Sequence, residues 1–390
     1  MGEISLRWVA SAAEIPPHLW AAAFRPPVEG DWWYRALERG RLEAQFRFAY
    51  GVLERGREPV GIVPTFQMDV PIDLLAPPII AAALKIGGRA IPRLRFQRTL
   101  FVGSPCSDEG TVGLVEGHTL GLVVDTIQTA IEERARHLRA SMIVWKDFPA
   151  EAAGPLDHLV RTRGLFRIVS FPGTRIALAG SSFDGYLGGL NHHKRYQLRR
   201  NLRRGKAALP TVMSIAVQPE EAVRREIFAL FWQTYERGKT KFERLTPEFF
   251  AALAAEPVAH FVLLRERATG ALVAFMLLFL LERRAINKFI GIDYRRGREG
   301  NIYFQLWEHA VQWAYDVGAT ELQSGQTGYA VKLDLGHELV PLTNYCTHRN
   351  PVLRYLFAAV ASGVGWASLD KDLARARVLS PVSSTGGLST

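Results

Sequence analysis

Apolar residues recur along this chain at two spacings. Short runs of strand character fall at 4–9, 45–53, 59–70, 99–102, 141–145 and 175–178. A second set falls at 211–217, 260–265, 271–281, 285–292, 321–323 and 340–345. Helical spacing governs 17–23, 32–37, 117–138 and 156–163, then 183–190 behind a Ser182 cap, continuing as a charged stretch to Arg204. It returns at 220–236, after the cap-then-proline pair Thr246-Pro247, from Asn301 to Val317, and at 351–366. The runs 260–265, 271–281 and 285–292 are joined by short turns and predict an antiparallel meander. The segment 72–96 reads as an insertion of helical and irregular character, and 376–390 as a disordered tail rich in Ser, Gly and Thr.

The order of elements repeats. GVLERGREPVGIVPTF in the first half and FVLLRERATGALVAFMLLF in the second both read strand, charged turn, strand. In each half a glycine, a long amphipathic helix and a short strand follow, at 117–144 and 300–322. This predicts an α+β protein of two tandem domains, 1–178 and 179–375, each a mostly antiparallel sheet flanked by helices.

One stretch invites chemistry. Between the third meander strand and its helix lie Asp293, Arg295, Arg296, Gly297, Arg298 and Gly300, with Asn301 as the expected N-cap. A helix start presents unpaired N–H groups and the positive end of the dipole, and arginines beside it would complete a phosphate seat. An ordinary strand-to-helix turn with solvated arginines uses the same residues.

A meander, a glycine turn, a helix and a strand follow in the order of the GNAT acyltransferase core. The sequence resembles the tandem form of that fold, found in the Fem-type aminoacyltransferases and related bacterial acetyltransferase-like proteins. The likeness rests on SFDGYLGGLNHHKRYQLRRNLRR, DYRRGREGNIYFQLWEHAVQWA and GQTGYAVKLDLG. It spans most of 175–355 and the first half more weakly. The resemblance implies transfer of an acyl group from acyl-CoA, such as acetyl-CoA, to an amine. It places the carrier phosphates on Arg295, Arg296, Gly297, Gly300 and Asn301. Asp293 and Glu321 become candidates for the proton transfers, Tyr329 for protonating the leaving group, and Lys332 for holding substrate. Gly297 and Gly300 stand three apart, so the Gly-x-Gly/Ala turn of many GNAT enzymes is absent. The alternative donor is aminoacyl-tRNA, as in the Fem-type enzymes, favoured by the net charge of +10 and a basic helix.

Composition narrows the partners. The chain has 390 residues and a net charge of +10, which favours anionic ligands. His192, His193, Lys194, Arg195, Arg199, Arg200, Arg203, Arg204 and Lys206 form a basic helical stretch that could take a tRNA backbone or anionic lipid. It lacks the aromatics and groove-reading fold of a sequence-specific nucleic-acid binder. Two cysteines, Cys106 and Cys346, give no disulfide framework, and no HExxH or CxxC spacing suggests a metal. No secretory pattern opens the sequence, so a cytoplasmic protein is expected. Lys85, Arg89, Arg93 and Arg95 among apolar residues raise peripheral contact with an anionic membrane, and with it a non-catalytic module as the other reading. The acceptor class is a small-molecule, peptide or cell-envelope amine.

Overall fold

The computed structural model describes residues 3–71, 96–238, 243–297 and 300–375. Residues 72–95 of the expected insertion, the tail and Arg298 lie outside the described residues. In chain order come β1 (Ile4–Val9), α1 (Pro17–Ala23), α2 (Asp31–Arg39), β2 (Arg47–Arg55), β3 (Glu58–Pro71), β4 (Phe96–Val102), β5 (Gly113–Leu114) and α3 (Leu120–His137). Next are β6 (Met142–Pro149), α4 (Ala153–Arg163), β7 (Phe166–Val169), β8 (Gly173–Ala177), α5 (Phe183–Gly189), α6 (His192–Ala208), β9 (Thr211–Val217), α7 (Glu221–Arg237) and α8 (Pro247–Ala254). The chain continues through β10 (Ala259–Glu266), β11 (Leu272–Leu281), β12 (Arg284–Ile292), the one-turn helix α9 (Tyr294–Gly297), α10 (Ile302–Asp316) and β13 (Glu321–Ser324). It closes with α11 (Tyr329–Asp334), β14 (Glu338–Val340), β15 (Leu342–His348), α12 (Pro351–Ala361) and α13 (Trp366–Leu369).

Two mixed, mostly antiparallel sheets result. One runs β1-β2-β3-β4-β6-β15-β7, with β5 added to β3, and the other β14-β8-β13-β12-β11-β10-β9. The halves correspond: β4 lies parallel to β6, and β12 parallel to β13. The expected meander is β10-β11-β12, antiparallel throughout. The run expected at 340–345 divides into β14 and β15, while β7 had no expectation attached to it.

Strands cross between the halves. β8 precedes residue 178 yet pairs with β13 and β14 in the second sheet. β15 comes from the C-terminal end yet fits between β6 and β7 in the first. Periodicity marks a strand but carries no information about its neighbour.

Packing explains the strand sequences. β11 reads LVAFMLLFLL without alternation because both of its faces are covered. Ala274, Met276 and Leu278 meet α5, α6 and α10 in one core. Phe275, Leu277, Phe279 and Leu281 meet α7, α8 and the first half's α1 and α2 in another. Trp32 stands edge-on to Phe279 at 4.9 Å, and Trp33 to Phe249 at 5.8 Å, so aromatic rings cross from one half to the other. A third core fills the outer face of the first sheet under α3 and α4.

Candidate active site

β12 pairs with β11 along most of its length but with β13 only from Arg284 to Asn287. Its ladder with β11 slips so that Leu277 faces Phe289 and Leu278 faces Asn287, leaving Lys288 as the extra residue of a bulge. Beyond the bulge β12 runs on to Ile292 while β13 stops at Ser324, so the parallel pair parts there.

The predicted phosphate turn lies at the far end of β12. The Asp293 amide donates to the Val273 carbonyl at 2.9 Å, and Asp293 Oδ1 accepts from the Arg295 amide at 3.0 Å. The Arg295 side chain is 87% exposed, whereas Arg296 pairs with Glu266 at 2.7 Å. Gly297 ends α9. Gly300 and Asn301 face inward against α6. A Cβ on Gly205 would come within 2.3 Å of the Gly300 carbonyl oxygen, and one on Gly300 within 2.8 Å of Leu209 Cβ. Asn301 stands at the N-cap position with φ 44° and makes no side-chain cap. Its Nδ2 donates instead to the Asn201 carbonyl at 3.2 Å. The turn thus offers solvent its arginines and tucks its glycine and asparagine away.

A denser set of charges lies at the seam between the halves. The Lys288 ammonium donates to Glu29 Oε1 at 2.7 Å, lies 3.7 Å from Asp108 Oδ1 and sits 4.5 Å from the centre of the Trp33 ring. Its side chain is 1% exposed. Burial alone would lower its pKa, but Asp108 and Glu29 outweigh that and raise it, so the amine stays charged. Asp108 comes from the loop after β4, where Trp33 Nε1 donates to Ser104 Oγ at 2.8 Å and the Cys106 amide donates to Glu243 Oε1 at 3.0 Å. Burial raises the Asp108 pKa against the pull of Lys288. Its Oδ2 is buried with no hydrogen-bond partner among the described residues. Next door, Lys146 pairs with Asp147, which also accepts from the Ser170 hydroxyl. Glu109 meets Arg284 at 3.1 Å, and Arg284 also pairs with Glu321, which places Glu321 at the start of β13 and at the opposite end from Ser324.

α11 completes the site. Lys332 Nζ donates to the Gly325 carbonyl at 2.5 Å. A Cβ on Gly325 would lie 3.6 Å from Asp108 Oδ1, so Lys332 and Asp108 flank one residue just past the end of β13. Burial lowers the Lys332 pKa to about 7, with Asp108 opposing. His337 Nδ1 donates to the Lys332 carbonyl at 2.9 Å, leaving Nε2 to accept from Ser324 Oγ at 3.2 Å. Burial first, and Lys332 second, lower the His337 pKa to about 3, so its ring is neutral. Tyr329 is buried, and its hydroxyl donates to the Pro172 carbonyl at 2.8 Å.

Comparisons with known proteins bear on the fold. Residues 192–332 match the family model of the acetyltransferase (GNAT) domain. That stretch of the second half carries a GNAT acetyltransferase domain. By sequence, no curated protein matches the chain. Among solved structures it is similar to FemX, at TM-score 0.59 and 11% identity over 90% of this chain and 99% of that one. It is also similar to a tandem GNAT protein from the clavulanic acid biosynthesis pathway, at TM-score 0.52 and 13% identity over 90% and 99%. A third is a conserved protein of unknown function from Bacteroides thetaiotaomicron, at TM-score 0.51 and 10% identity over 87% and 98%. The two halves meet along the Lys288–Asp108 seam.

Reading the sequence missed Asp108, Lys288 and Glu29. One signal was present: Lys288 is a lone charge inside the apolar strand RAINKFIGI, where a lysine needs a buried partner. The partners come from 180 and 259 residues away, across the two halves.

Proposed function

We propose that this GNAT protein forms an amide at the seam, the donor entering where β12 and β13 part and the amine docking beside Asp108. The buried, unpartnered Asp108 Oδ2 carries this reading, because an ammonium or attacking amine would supply the missing donor. In the reaction, the acceptor nitrogen bonds to the acyl carbon and its proton passes to the Asp108 carboxylate. Burial raises the proton affinity of that carboxylate. The carbonyl oxygen, negative in the tetrahedral intermediate, is met by an N–H of Lys332 Nζ; the carbon–sulfur or carbon–oxygen bond to the carrier then breaks and the carrier leaves with a proton. Asp293 and Glu321, each engaged by arginines, are assigned to holding the two ends of β12. Tyr329 is assigned to anchoring α11.

Acyl-CoA is the first donor, with its phosphates on Arg295 and Arg296. Aminoacyl-tRNA is the second, favoured by α6, which backs the same turn and exposes Arg199, Arg203 and Arg204. A saturating CoA thioester is expected to raise Tm, and labelled acyl transfer to a panel of amines to fall by about 100-fold or more in Asp108→Asn. A Tm shift with aminoacyl-tRNA alone, lost in Arg203→Glu with Arg204→Glu, selects the second donor. No shift with either, or full transfer by Asp108→Asn, refutes the assignment.

A further inference from the structure

The remaining unassigned feature lies on the first sheet, away from the seam. α12 has the sequence PVLRYLFAAVA, with Arg354 as its one charge. Phe357, Ala358 and Ala361 face the core shared by both halves. The opposite side is also apolar: Val352 is 66% exposed, Tyr355 76% and Leu356 51%. Their i, i+3, i+4 spacing makes them one stripe. A helix apolar on every side belongs inside a core or against an apolar phase, and this one has protein on one side only.

Charge accompanies the stripe. Beside α12 is an open hollow of about 560 Å³, lined by Glu132, Arg163, His348, Arg349 and Arg354 among others. Arg163 leans on Asp125 and Glu132 at 3.6 and 3.9 Å. The Arg349 and Arg354 guanidinium groups have no ion-pair partner among the described residues. Gly164, at φ 66°, lies under Arg354, where a Cβ would come 3.1 Å from Nη1. Thr99 and His348 both pair with Met142, so β4 and β15 reach the same end of the sheet. That end also carries exposed Arg136 and Arg139, and Phe96 at 49% exposure.

We propose that α12 docks this protein on an anionic lipid bilayer. Val352, Tyr355 and Leu356 enter the headgroup–acyl boundary, and Arg349 with Arg354 takes a lipid phosphodiester. The surface stands apart from the seam, so the proposal holds whichever amine is acylated there. The test mixes the full chain with vesicles of phosphatidylcholine, with and without phosphatidylglycerol, and measures cosedimentation. Binding is expected only with the anionic lipid and weakens as salt is raised. Tyr355→Glu with Leu356→Glu reduces it about 10-fold or more, and Arg349→Glu with Arg354→Glu by a similar factor, with circular dichroism and Tm unchanged. Absence of binding to anionic vesicles at low salt overturns the proposal, as does binding that the α12 variants leave intact. A concentration-dependent dimer that Leu356→Glu dissociates, without vesicle binding, gives the face to a second copy and overturns it equally.

Discussion

Lys332 shows what burial does to a single charge. Its folded pKa of about 7 lies below the ordinary lysine value of 10.5. Between those values the unfolded chain holds a proton that the folded protein has released, so stability rises with pH across that window. Below pH 7 both states carry the charge, and the desolvation penalty of the buried ammonium stays in place. Urea midpoints measured from pH 6.5 to 9.5 are expected to climb in the wild type and to flatten in Lys332→Met, by at most about 1.4 kcal/mol per pH unit. Equal slopes in the two proteins would contradict the depressed pKa. The same substitution is expected to slow acyl transfer by about 100-fold, since it removes a donor from the developing oxyanion. Lys332 and Tyr329 were legible in the GQTGYAVK segment as candidates. That a neutral His337 and the Gly325 carbonyl hold the lysine was not, because those contacts depend on how α11 folds back on β13.

At the scale of elements, the contact between α6 and the start of α10 shapes the phosphate turn. Gly205 lets the helix backbone lie against the Gly300 carbonyl, and Gln305 Nε2 binds that carbonyl at 2.9 Å from inside. Gly205→Ala would force the two apart and is expected to cost about 1–3 kcal/mol in denaturant unfolding. Weaker binding of the donor should accompany it. If stability and donor affinity both stay at wild-type values, α6 does not set the turn. The helix from Asn301 and the strand before it were plain from spacing. The closure of its first residues was invisible, because α6 read only as a charged helix with no stated neighbour. Its glycine is the one clue to a close approach, and glycines on charged helices are read more readily as breaks.

At the scale of the whole molecule, the exchanged strands make one folding unit of two repeats. The first sheet needs β15 to join β6 to β7, and the second needs β8 between β13 and β14. Residues 1–178 and 179–375 expressed separately are each expected to remain unfolded or aggregate, and the full chain to melt in a single calorimetric transition. A soluble, cooperatively folded 1–178 fragment would refute this. The repeat, the meander, the α+β class and the tandem GNAT resemblance were all determined by the sequence alone, because periodicity and turn chemistry are local properties of the chain. Which strand fills each gap, which carboxylates neutralise Lys288 and how Asp108 and Lys332 come to flank Gly325 were decided only in the tertiary structure. Those pairings join residues up to 259 positions apart, and a buried charge acquires its chemistry from neighbours that the linear order does not name.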